Sequence, residues 1–205
     1  MWAKVVSIIF HPLFIPTYLF TFLSVAIPTS LEPITPELHG KFLLFIFIVT
    51  CLLPMINVGI FKYFGTISSI TMPDRKERLM PFVLISAIYV AVSYLFHLHG
   101  HMNLNDNFMR FMIIIDMLVV ASTVATFFFK VSVHSVTAWG LIGVLVPLNK
   151  ITDVSSIFYP TIGVIVLAGF IMAARLELDT HTPREVMWGA VLGLATSVGG
   201  MLLLF

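Results

Sequence analysis

Seven mostly apolar stretches, each near the length that crosses hydrocarbon, divide this chain, and little else can be built from them. A membrane helix needs roughly twenty apolar residues. The runs fall at about Val5–Ile27, Phe42–Tyr63, Met80–Phe96, Phe108–Phe129, Ser135–Leu148, Ile157–Ala174 and Glu185–Phe205. In lipid every backbone N–H and C=O must be satisfied internally, so only helices or a closed barrel can span it. No strand alternation marks a barrel. The expected fold is all-α: a polytopic transmembrane helical bundle of six to seven spans, forming one integral membrane domain over residues 1–205 in a cell membrane. Of the 205 residues 59% are hydrophobic and only 10% charged, too few charges to cover a soluble surface.

The same composition narrows the partners. A net charge of +1 leaves no basic face for nucleic acid, so the expected surroundings are the lipid bilayer. The single cysteine, Cys51, rules out an intramolecular disulfide. The first run resembles a signal peptide but is too long and lacks a small-x-small cleavage pattern, so it reads as a retained span. His11-Pro12 and Pro16 predict a kink in it, and Pro54 and Gly59 predict bends in the second run.

Three polar clusters interrupt the apolar chain: Asp74–Arg78, Lys130–His134 and Arg175–Glu185. Two spans separate each from the next, so an even number of crossings returns all three to one membrane face. Most lysines and arginines fall on that face, which the positive-inside rule would make cytoplasmic. The same cations also suit an anionic substrate.

Thr182-Pro183-Arg184-Glu185 predicts a helix start, with Thr182 as N-cap, Pro183 as first helical residue and Glu185 three positions in. His181 then sits at a helix mouth, where backbone N–H groups and the dipole favour anions. Glu185 lies four residues on and can reach the imidazole. Hydrolysis of a phosphoester needs cations on the phosphate oxygens, a nucleophile and an acid for the leaving group. Arg175, Arg75, Lys76 and Arg78 are the candidate cations, and Ser132 a candidate phosphate-binding hydroxyl at a helix start. His181 is the candidate nucleophile, Glu185 its orienting carboxylate and His134 the general acid. The scheme requires neither metal nor cofactor.

These residues resemble the type 2 phosphatidic acid phosphatase superfamily, whose active site is shared with vanadium haloperoxidases. Its third motif is Ser-Arg, five residues, His, three residues, Asp. Here Ala174-Arg175, His181 and Glu185 keep that spacing, with Ala for Ser and Glu for Asp. Of its second motif, Pro-Ser-Gly-His, Val131-Ser132-Val133-His134 keeps the serine and histidine and loses the proline and glycine. Its first, Lys, six residues, Arg-Pro, is matched only by the cations and Pro81 of the Asp74–Pro81 stretch. The resemblance covers about residues 74–189. It implies metal-independent hydrolysis of a lipid phosphate or polyprenyl (isoprenoid) diphosphate through a phosphohistidine.

Two rivals stand beside it. Loss of the second motif's proline and glycine suits a non-catalytic relative that binds an anionic lipid. Asp116, alone inside a span, suits either an interhelical hydrogen bond or a small transporter. His97, His99 and His101 have a metal-like look, but alternate spacing does not gather ligands on one helix face, so a polar loop is expected.

Overall fold

The computed structural model describes residues 1–99, 103, 104, 106–151 and 157–205, apart from the side chain of His99. Within them the chain is helical and contains no strand. The helices are α1 (Trp2–Ile9), α2 (Ile15–Ala26), α3 (His39–Phe47), α4 (Leu53–Tyr63), α5 (Arg75–His99), α6 (Asn107–Phe128), α7 (Val133–Ile151), α8 (Phe158–Glu177) and α9 (Pro183–Leu204). Six stretches are long and apolar enough to cross a membrane: Trp2–Ala26, Pro36–Tyr63, Arg75–Leu98, α6, α8 and α9. The protein is therefore an integral membrane helical protein in a lipid bilayer. At 22 residues, α6 and α9 rise about 33 Å, close to the hydrocarbon thickness. α7 is shorter, at 19 residues, and carries His134, Asn149 and Lys150 near its ends.

The chain forms two compact units: Met1–Ile15 with Val131–Phe205, and Pro16–Lys130. In the first, α7 and α9 approach closely because small residues line their seam. A Cβ on Gly193 would lie 2.1 Å from the Val136 carbonyl oxygen, and one on Gly189 would lie 2.6 Å from that of Ser132. Gly143 faces Ser197 in the same way. Ser197 turns its hydroxyl back onto the Gly193 carbonyl at 2.7 Å, so the seam stays small and its polar group satisfied. Ala138, Ile142, Ala168 and Ile171 form the buried core between α7 and α8, with Val6 and Phe10 of the amino-terminal segment against it.

The first predicted kink is present. α1 stops before His11, Pro12 opens a short 3-10 turn over Pro12–Phe14, and α2 follows. The bend at Pro54 takes a form the sequence did not show: a π-helical turn over Ile48–Leu52 between α3 and α4. Proline has no N–H for the carbonyl four residues back, which is that of Thr50. That carbonyl accepts instead from the Tyr89 hydroxyl on α5, at 2.9 Å. The core of the second unit is aromatic: Phe20, Phe42 and Phe108 meet with ring centroids 4.9–5.6 Å apart.

Two expected loops are shorter than the apolar runs suggested. α5 starts at Arg75 because the Asp74 carboxylate accepts the Lys76 N–H at 3.0 Å, capping the first turn. Arg75, Lys76 and Arg78 thus belong to a helix rather than a loop. α5 also continues through His97 to His99, past the predicted end at Phe96. His101, and the expected loop after residue 151 as far as Ser155, lie outside the described residues.

Candidate functional site

The first unit brings together helix ends that are far apart in sequence. α8 ends where Asp179 adopts a left-handed backbone (φ 49°), a conformation that stops a helix. The Thr180 hydroxyl donates to the Arg175 carbonyl at 3.2 Å, satisfying one terminal oxygen. Thr182 then caps α9, its hydroxyl accepting the Glu185 N–H at 3.3 Å, with Pro183 in the first turn. This is the predicted cap. Arg175, expected in the connecting stretch, lies in the last turn of α8.

Within that start His181 donates from Nδ1 to Glu185 Oε2 at 2.7 Å. A carboxylate oxygen only accepts, so Nδ1 carries the hydrogen and the neutral ring keeps its lone pair on Nε2. The histidine side chain is 3% exposed and the carboxylate 20%. A short charge-assisted bond at that depth holds the ring's orientation.

α7 begins beside α9. The Ser132 N–H donates to the Glu185 carbonyl at 3.1 Å, and the Ser132 hydroxyl accepts from the Ser135 N–H at 3.4 Å as an N-cap. Ser132 is fully buried, so it works as the joint between two helix starts. Two residues on, His134 donates from Nε2 to the Ser7 carbonyl at 3.2 Å. Its neutral ring therefore holds the lone pair on Nδ1. The His11 ring meets the His134 ring edge-on, centroids 5.4 Å apart at 83°.

Arg175 reaches the same residue from the other side: Nη1 donates to the Ser7 hydroxyl at 3.3 Å. Ser7 thus holds His134 through its carbonyl and Arg175 through its hydroxyl. The ionisable groups that act on His134 are Arg175, His11 and His181. One fixed cation and imidazoles around a third imidazole make a local field suited to an anion.

Of the residues expected at the site, His134, Arg175, His181, Glu185 and Ser132 all lie in this unit. Arg75, Lys76 and Arg78 belong to the other. Arg75 donates to the Thr126 and Phe127 carbonyls at the end of α6. Arg78 is buried and donates from Nε to the Met72 carbonyl at 2.8 Å, while Lys76 is exposed. Ser7 and His11 were not anticipated as partners. Their signal was the His11-Pro12 pair with a serine one turn earlier, which reads equally well as a simple kink. Among the described residues no group of three or more His, Cys, Asp or Glu side chains is placed to hold a metal ion.

Against known proteins the result is plain: no family model, no curated protein and no solved structure matches the chain.

Proposed function

We propose that this protein is a phosphatase of a cell membrane that hydrolyses a lipid phosphate or polyprenyl diphosphate through a phosphohistidine. The observation that carries the reading is the tying of His134 and Arg175 to one residue, Ser7, in the unit that holds the His181–Glu185 pair. The lone pair on His181 Nε2 attacks phosphorus as the bond to the leaving oxygen breaks. Glu185 offsets the charge that the ring gains. His134, once the bound phosphate anion has drawn a proton onto its Nδ1, gives that proton to the leaving alkoxide or phosphate and later takes one from the water that cleaves the phosphohistidine. Arg175 binds the non-bridging oxygens, where its fork matches the charge of the transition state. The lipid tail stays among the apolar helices. The likeness noted in the sequence supports the reading: a type 2 phosphatidic acid phosphatase works on a similar arrangement of arginine, two histidines and a carboxylate.

The test is phosphate release from phosphatidic acid and from a polyprenyl diphosphate in mixed micelles containing chelator. Wild type should release phosphate, and His181→Ala should abolish it while the protein still elutes as a folded species. His134→Ala should slow release by about 10²-fold or more, the usual contribution of a general acid. Undiminished release by His181→Ala would remove the nucleophile from the proposal. A second reading has its own observation: Ser132 is fully buried and its N–H is engaged by the Glu185 carbonyl. That suits an anionic-lipid binder, which would retain the lipid phosphate on vesicles and release nothing.

A further inference from the structure

Asp116 lies near the middle of α6, 9% exposed. Its Oδ1 is buried and bonded to nothing among the described residues. No hydrogen bond of ordinary length satisfies the aspartate at that oxygen. Ser93 on α5 is 6% exposed, and its hydroxyl oxygen is in the same condition.

Helix register brings the two together. Arg75 bonds carbonyls at residues 126 and 127, and the Ser86 and Thr123 hydroxyls meet at 2.7 Å, so α5 and α6 run antiparallel. Seven residues up α5 and seven back along α6, about two turns each way, Ser93 comes opposite Asp116. The Ser93 hydroxyl lies close enough to act on the carboxylate without making a hydrogen bond of ordinary length, and Tyr89, one turn before Ser93, feels its charge. Tyr89 in turn bonds the Thr50 carbonyl of the π-helical turn, and the Thr50 hydroxyl lies 3.5 Å from that of Thr17 on α2. Irregular backbone and an ionisable side chain at membrane depth are features that mark ion sites.

A lone carboxylate in hydrocarbon is settled by a cationic side chain, a proton or a bound cation. Among the described residues no lysine, arginine or histidine acts on Asp116. A proton on Oδ1 would need an acceptor at hydrogen-bond distance, and neither Oδ1 nor the Ser93 hydroxyl has a partner at that distance among the described residues. An ion seated between Oδ1 and the Ser93 hydroxyl satisfies both at once. The donors are all oxygen, which selects hard cations over zinc or copper, and one carboxylate balances one positive charge. The geometry points to a binding site for a small monovalent cation of the sodium class, held by Asp116 and Ser93 with the Tyr89 hydroxyl as a neighbour.

Equilibrium binding of radioactive sodium to the purified, detergent-solubilised protein, against a choline chloride background, tests this. Saturable binding near one ion per chain is expected. Asp116→Asn should abolish it, and Ser93→Ala should weaken it about tenfold, the order of loss for one polar partner of a charge. Ser93→Ala also keeps the question decidable if Asp116→Asn fails to fold. His181→Ala should bind sodium as wild type does, so this site and the phosphatase reading fail separately. No saturable binding by folded wild type, or binding that survives Asp116→Asn, overturns the assignment. So does an infrared band of a protonated carboxyl that Asp116→Asn removes and sodium leaves unmoved.

Discussion

Replacing Gly193 by alanine tests how the seam between α7 and α9 is built. The added methyl would stand 2.1 Å from the Val136 carbonyl oxygen and 2.9 Å from the carbonyl carbon and Cα of the same residue. All three are backbone atoms, so no side-chain rotation relieves the clash. Restoring an ordinary carbon–oxygen contact requires the helices to part by about 1 Å, loosening the packing along the seam. Overpacking of this kind costs about 1–3 kcal/mol, a loss of up to roughly two powers of ten in the folding equilibrium. The matched control is Gly199→Ala on the same helix, where nothing lies within 4 Å of the new methyl. There alanine's better helix propensity should leave stability unchanged or raise it by up to about 1 kcal/mol. Denaturation in mixed micelles, followed by tryptophan fluorescence, reads both. Gly193→Ala should also depress phosphate release, because the seam sets the distance from α7 to the His181–Glu185 pair, and a 1 Å displacement at a reacting centre can cost about 10²-fold. Equal stability of the two variants, or greater damage from Gly199→Ala, would refute the close approach of the helices.

Other substitutions probe the site directly. Glu185→Gln keeps an acceptor near His181 Nδ1 but removes the charge; with about 1.5–3 kcal/mol in such a bond, turnover should fall by roughly 10- to 100-fold while binding of the lipid phosphate changes little. Thr182→Ala removes the cap of α9 and should cost about 1 kcal/mol of stability in the same unfolding assay. Tyr89→Phe leaves the Thr50 carbonyl of the π-helical turn without the hydroxyl it accepts from, and should destabilise by about 1–3 kcal/mol with phosphate release intact.

Local rules carried far in this chain. The span expected at Phe108–Phe129 is a helix over Asn107–Phe128, and Thr182 and Pro183 take the cap and first-turn positions that their side chains dictate. A cap is decided within four residues, so it is visible without tertiary structure. The π-helical turn was hidden because its cause, Pro54, predicts a break but not its form, and the hydroxyl that answers the Thr50 carbonyl comes from Tyr89, far along the chain. The start of α5 was misplaced because hydropathy reports lipid, not helix, and charged first turns lie outside the apolar run. Gly189, Gly193 and Ser197, spaced four apart, were a readable sign of a tight seam. Ser7 was not readable: one buried serine in an apolar helix gives no hint that two distant helix ends will meet on it.

That meeting fixes an order of events during synthesis. Ser7 leaves the ribosome well before its partners, because its bonds to His134 and Arg175 join positions 127 and 168 residues apart. The helix that carries Ser7 therefore enters the bilayer long before these two partners have been translated, and must wait there with its serine turned to whatever the translocon and lipid offer. Only after the eighth helix has emerged does the cationic cluster close, so a nascent chain carries no finished centre through most of its manufacture.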